Sequence, residues 1–445
     1  MKIPHQSIIY GTIVLTAVSF LCRGIGFFYR MFISQTFGEE GMGIYQLTAP
    51  VMSMAFSLCC AGFQTAISRY VAAKSDDTRS SLRFLMVGIV LTTILSSLLS
   101  FGIFTCSDFL AESVLLENRT APLLRLMALA FPFSAIHCCM NGFYYGKKKA
   151  SIPAILQFTE QITRVGSVLF LCHLYEKSNH AIGLAVTAAG SAIAELVSMF
   201  ISIGFILPYF SKRKTISLAK KNRSELFITF QKTAALLLSM AVPLSINRII
   251  VNLLQNVENI YIPEMLRKYG YTTAESLSLF GVLTGMALTV ILLPSSLVNS
   301  VSVLLLPRIS EAQSKNRNNE ISLVIKRSTT FCCILGLFCS TFFFFLGSWA
   351  GDFLFHSEAA GDYIVKLSFI CPFLYITSSL GSILHGLGKT YTTLFINIGT
   401  LSIRIASVFF LIPRMGIPGY ILGLLAGQCF AAVCCIISLH KYALY

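Results

Sequence analysis

Charge is scarce in this chain. Only 12% of its 445 residues are Asp, Glu, Lys or Arg, against about a quarter in soluble domains. There is a single tryptophan, no CxxC pair and no Cys/His cluster at zinc spacing. The sequence contains no Walker loop, no HExxH and no nucleophile elbow. A soluble globular domain, a disulfide framework, ATP hydrolysis and the commoner hydrolase chemistries are excluded on these grounds. No cofactor and no metal is expected, and His137 and His385 read as core histidines.

What the chain has instead is apolar length. It is 55% hydrophobic with a mean hydropathy of +0.74. The apolar residues come in runs of ~20, the length that crosses a bilayer as a helix. The runs are continuous rather than alternating, which argues against a β-barrel. The expected fold is an all-α polytopic membrane protein of about twelve transmembrane helices. They lie near 8–33, 44–68, 84–106, 122–145, 152–173, 181–207, 231–256, 277–306, 329–350, 363–385, 390–412 and 417–439. Most of the 14 cysteines fall in these runs and read as small packing residues. Lys2, the run 8–18 and Ala17-Val18-Ser19 loosely imitate a signal peptide, but the apolar pattern continues to Ile33. An uncleaved first helix is therefore expected.

The net charge is +15, and its placement points to topology rather than nucleic acid. Arg69, Lys74, Arg79 and Arg83, then Lys147, Lys148 and Lys149, then Arg308, Lys315 and Arg317 fall in one alternating set of loops. Glu39, Glu40, Asp108, Glu112 and Glu117 fall in the other. The positive-inside rule then puts both termini in the cytoplasm. A basic hydrophilic segment at 209–231 reads as a cytoplasmic linker between two six-helix lobes, 1–208 and 232–445.

An internal repeat agrees with two lobes. At an offset of 240 residues, Pro132-Phe133 matches Pro372-Phe373, Gly146 matches Gly386, Lys149 matches Lys389 and Arg164 matches Arg404. Six spans per half make the repeat parallel, with its axis along the membrane normal.

Five arginines lie inside expected spans: Arg23, Arg30, Arg164, Arg248 and Arg404. Only two acids lie inside the expected spans, Glu160 and Glu195. Buried intramembrane charge is costly unless it faces protein or a wet cavity. Arg23 and Arg30 are two helical turns apart and point the same way. Arg248 shares a polar face with Ser245, Asn252 and Gln255 at helical spacing. Such a face either lines a cavity or joins helices by hydrogen bonds. Glu160 is four residues before Arg164, so pairing on one helix face competes with a ligand role for both. Arg404, with no acid near it on its own helix, has a packing reading and a ligand reading. Glu195 is a candidate proton-coupling residue or a hydrogen-bonded neutral acid. Pro50, Pro243 and Pro294 mark places where helices can bend.

The guanidinium stays charged and its planar fork suits phosphate. A positive excess at bilayer depth is expected to attract a polyanion, and a diphosphate headgroup fits that better than a lipophilic cation. Arg23, Arg30, Arg248, Asn252 and Gln255 are the expected substrate-binding residues. Arg69, Glu160, Arg164, Glu195 and Arg404 are candidates for the cavity or for coupling.

Three stretches carry a family resemblance. They are Gly26-Phe27-Phe28-Tyr29-Arg30, the run 37–45 with Pro50, and Ala66-Ile67-Ser68-Arg69-Tyr70-Val71-Ala72. They resemble the stage V sporulation protein B group, in the polysaccharide-transport branch of the MOP exporters. That group is similar to MurJ-type lipid II flippases. The detailed motif covers about residues 10–75, and the two-half hydropathy pattern covers the rest. The resemblance implies a flippase for an undecaprenyl-diphosphate-linked sugar in the bacterial cytoplasmic membrane. It also implies alternating access and first-helix arginines lining the cavity, where Arg23 and Arg30 stand. Coupling to H+ or Na+ and contact with cell-wall synthesis enzymes are further candidates. Many relatives have fourteen spans, the last two shaping a groove for the lipid tail; twelve are expected here. The competing expectations are a drug/cation antiporter of the same superfamily, a membrane-embedded sugar polymerase, and a non-transporting scaffold for envelope or spore-cortex synthesis.

Overall fold

The structure, a computed structural model, describes the backbone of residues 5–73, 77–177, 183–211, 223–315 and 317–443. The central part of the expected linker, 212–222, lies outside the described residues. Those described are almost entirely helical, with no strand among them. Among the described residues nine helices are long and apolar enough to cross a membrane, or ten if the bent pair Asn118–Ala128 and Phe131–Gly146 counts as one span.

That number is lower than the expected twelve, for two physical reasons. The runs 8–33 and 44–68 both fall in the first of these helices, Thr16–Ala73. Gly38 breaks its helical geometry with φ 72° and ψ −177°, a region open essentially to glycine alone. The run 152–173 is indeed helical, as Ser151–Lys177, but Gln157, Glu160, Gln161 and Arg164 dilute its apolar character. The run 277–306 is also divided: Leu288–Leu292 ends before Pro294, and Ser295–Ser314 begins after it. The helix Arg223–Tyr269, by contrast, continues through Pro243.

The outer surface is apolar. Leu98, Phe101, Phe345 and Phe395 are 66%, 70%, 74% and 71% exposed. Soluble monomers rarely leave large contiguous apolar surfaces uncovered; a bilayer solvates these. The chain is a multi-pass membrane protein.

The residues gather into two compact units. One holds Met1–Ile25 and Thr48–Asn252, the other Gly26–Leu47 and Leu253–Tyr445. Residues 26–47 thus group with the second unit and 232–252 with the first.

In the first unit, Asp77 caps the helix Thr78–Thr105 by accepting from the backbone N–H groups of Arg79 and Ser80. Phe63, Ile67, Leu85, Phe143, Tyr144 and Leu237 belong to one of its buried hydrophobic clusters. Small residues let backbones meet there, as is usual between membrane helices. A Cβ on Gly142 would stand 2.5 Å from the Gln64 carbonyl oxygen.

In the second unit, a capping box between Thr272 and Glu275 starts Thr273–Gly281. Ser357 caps Glu358–Leu367 after a left-handed His356, φ 52°. The first-helix segment packs in by the same small-residue device, with Gly43 against the Leu277 backbone and Gly281 against Gly43 and Glu39.

The repeat is visible in local structure. Phe131–Gly146 and Cys371–Gly386 are both 16-residue helices, offset by 240, and each has proline in its first turn.

Candidate functional site

The five intramembrane arginines separate into two chemical classes. Arg164 and Arg404 are neutralised by carboxylates. Arg164 pairs with Glu160 one turn earlier on Ser151–Lys177, as the spacing predicts. Arg404 Nε donates to Glu258 Oε1 at 2.7 Å, and Tyr420 donates its hydroxyl to the same oxygen at 2.6 Å. Glu258 is 1% exposed. It is a third intramembrane acid: it lies just past the apolar run 231–256, but the helix continues to Tyr269. The expectation that Arg404 lacks an acid holds for its own helix, but the partner comes from another.

Arg23, Arg30 and Arg248 have no carboxylate partner among the described residues. Arg23 and Arg248 are exposed, and no hydrogen bond or ion pair engages either among those residues. Arg30 is half-buried, and its Nη1 donates to Thr289 Oγ1 at 2.7 Å. A neutral hydroxyl leaves the guanidinium charge uncompensated.

The polar face around Arg248 splits by role. Ser245 is buried against Gly62. Asn252 Nδ2 donates to Ser57 Oγ at 2.5 Å and to the Ser53 carbonyl at 3.4 Å. These two join helices within the first unit. Arg248 and Gln255 are exposed. Arg69 is also exposed, near the end of the Gly62–Ala73 helix.

One cluster was not foreseen. His137, Glu160 and Glu195 come from three different helices, and each offers an atom within 4.8 Å of the other two. His137, expected to lack a metal partner, therefore stands with two carboxylates. The three are widely spaced in sequence, and only tertiary packing unites them. Glu39 is a second find: it accepts hydrogen bonds from Ser278 and Ser357 inside the second unit. It ties the segment after the Gly38 break to two other helices.

Arranged this way, the chain is an all-α membrane protein whose spans hold three arginines with no carboxylate partner among the described residues. Residues 8–313 match the polysaccharide biosynthesis protein family, and the chain belongs to it. It is similar to stage V sporulation protein B of Bacillus subtilis (strain 168), 25% identical over 427 residues, or 95% of this chain and 82% of that protein. The lipid II flippase MurJ of the same organism is 22% identical over 319 residues, covering 69% of this chain and 58% of that one. Among solved structures, an inward-facing multidrug resistance MATE family transporter of the MOP superfamily superposes with a TM-score of 0.71 at 12% identity, covering 97% of each chain. Lipid II flippase MurJ in an inward closed conformation gives 0.69 at 17%, covering 97% of this chain and 90% of that one. The fold is that of these transporters.

Proposed function

We propose that the chain is a flippase for an undecaprenyl-diphosphate-linked sugar, either a lipid II-like peptidoglycan precursor or an oligosaccharide unit. It carries the headgroup across the bacterial cytoplasmic membrane by alternating access of two parallel six-helix lobes, with both termini in the cytoplasm. The polyprenyl tail stays in lipid, where its apolar surface is already solvated.

The observation that carries this reading is the sorting of the arginines. Two of five are satisfied by Glu160 and Glu258. Arg23, Arg30 and Arg248 are left positive with no acid beside them among the described residues. Charge held at that depth without a partner is expensive, and its retention calls for an anionic cargo. A diphosphate accepts forked hydrogen bonds from several guanidiniums, so each of the three meets the headgroup during the cycle. A drug/cation antiporter would need free acids in their place, whereas these three positions are arginines, and Glu160 and Glu258 are engaged by arginines while only Glu195 has none. Coupling to H+ or Na+ and docking of cell-wall enzymes belong to the same proposal.

The test is direct. The purified protein is placed in vesicles containing a fluorescent undecaprenyl-diphosphate-linked sugar, and an impermeant enzyme on one face modifies the headgroups that reach it. The wild-type protein should make the hidden pool accessible, and R23Q and R248Q should not. A wild-type rate equal to that of protein-free vesicles would defeat the flippase reading and favour the scaffold.

A further inference from the structure

The geometry of the His137–Glu160–Glu195 cluster is informative in its own right. His137 Nδ1 and Glu195 Oε2 lie 3.6 Å apart. That is too long for a hydrogen bond, which spans about 2.7–3.2 Å. It suits two ligands sharing one tetrahedral ion: bonds of about 2.0–2.2 Å from the metal put neighbouring ligands roughly 3.3–3.6 Å apart. Glu195 Oε2 is itself buried and has no hydrogen-bond partner. An unsatisfied carboxylate oxygen in such a place calls for a positive occupant.

The surroundings are built for ligation. His137 is buried, and its side chain is only 8% exposed. Asn141, one turn on, contacts its Nε2 at 2.9 Å. That contact turns Nδ1 toward Glu195. Among the described residues the amide nitrogen of Asn141 faces Nε2 and its oxygen has no hydrogen-bond partner; turned over, as metal binding requires, the amide oxygen accepts the Nε2 proton and leaves the Nδ1 lone pair for the ion. Arg164 pairs with Glu160 one turn along the same helix.

The donor set selects among cations. Sodium, magnesium and calcium prefer all-oxygen shells, and an imidazole nitrogen is a poor ligand for each. One nitrogen and two carboxylates suit a borderline divalent transition metal. With His137 neutral and Arg164 charged, the four side chains carry a net charge of −1 before the ion enters.

We propose that His137, Glu160 and Glu195 form a binding site for one divalent transition metal ion of the zinc class, pinning the helices Phe131–Gly146, Ser151–Lys177 and Ala185–Ser211 to one another. The site lies within the first unit and stands whether or not the flippase reading does.

The experiment uses full-length protein in detergent, stripped with chelator and bearing no histidine tag, titrated with ZnCl2 against a chromogenic zinc indicator. One equivalent should bind per chain and raise the thermal unfolding temperature. N141A should weaken binding about 10- to 100-fold. The near-isosteric E195Q and the H137A variant should lose both the equivalent and the thermal shift, while H385A keeps them. Should H137A fail to fold, E195Q decides alone. No stoichiometric zinc, zinc retained in E195Q, or uptake of only a proton by the chelator-stripped site would overturn the proposal.

Discussion

Replacing Arg404 should injure the fold more than replacing any other intramembrane arginine. Glu258 is 1% exposed and takes two short hydrogen bonds on the same oxygen, from Arg404 at 2.7 Å and Tyr420 at 2.6 Å. The R404L variant removes the only cation from this arrangement and leaves a buried carboxylate with one phenol. Breaking a buried pair from one side costs about 3–5 kcal/mol, because an uncompensated charge remains. E258L strands the guanidinium in the same way. The R404L/E258L double variant strands neither, so it should cost no more than either single alone, a recovery of about 3–5 kcal/mol or more relative to the sum of the singles. Y420F should lose about 1.5–3 kcal/mol, the value of a hydrogen bond to a charged group. The chain supplies its own probe: its single tryptophan, Trp349, lies in the same unit and stacks on Phe353 at 5.0 Å. Denaturant unfolding in micelles followed by Trp349 fluorescence gives the four stabilities needed for the cycle. Additive single-variant effects would refute the buried pair and, with it, the division of the arginines into two classes.

Further outcomes are expected elsewhere. G38A should destabilise the protein by about 1–3 kcal/mol, since φ 72° with ψ −177° excludes a side chain; unchanged unfolding would show that the break is not needed. N252A should lower stability by about 0.6 kcal/mol, the mean for an interhelical hydrogen bond in a membrane, and leave translocation intact. Loss of translocation at full stability would instead return Asn252 to the substrate-binding set.

The helices were legible because their cause is local. Bilayer thickness sets the length of an apolar run, and charge bias marks the loops between runs. Gly38 and Pro294 act through their own backbone chemistry, yet where they divide a helix depends on packing. The Glu160–Arg164 pair was readable from one turn of spacing. The Arg404–Glu258 pair was not: its members are 146 residues apart, and Glu258 stood just past an assumed span end. The His137 cluster is the stronger case, since neither of its acids is near the histidine in sequence. Asn252 shows the converse limit. Helical spacing put it on a polar face, but its hydrogen bond to Ser57 comes from tertiary packing that spacing does not show.

The central claim is that guanidiniums without a carboxylate partner hold a diphosphate. Its most direct measurement is binding of a soluble sugar-diphosphate headgroup analogue to the purified full-length protein, compared across single glutamine variants. R23Q, R30Q and R248Q should each weaken binding about 10- to 150-fold, the equivalent of losing one charge-assisted hydrogen bond of about 1.5–3 kcal/mol, while R164Q with E160Q leaves it unchanged. Equal affinity in wild type and in all three single variants would contradict the account.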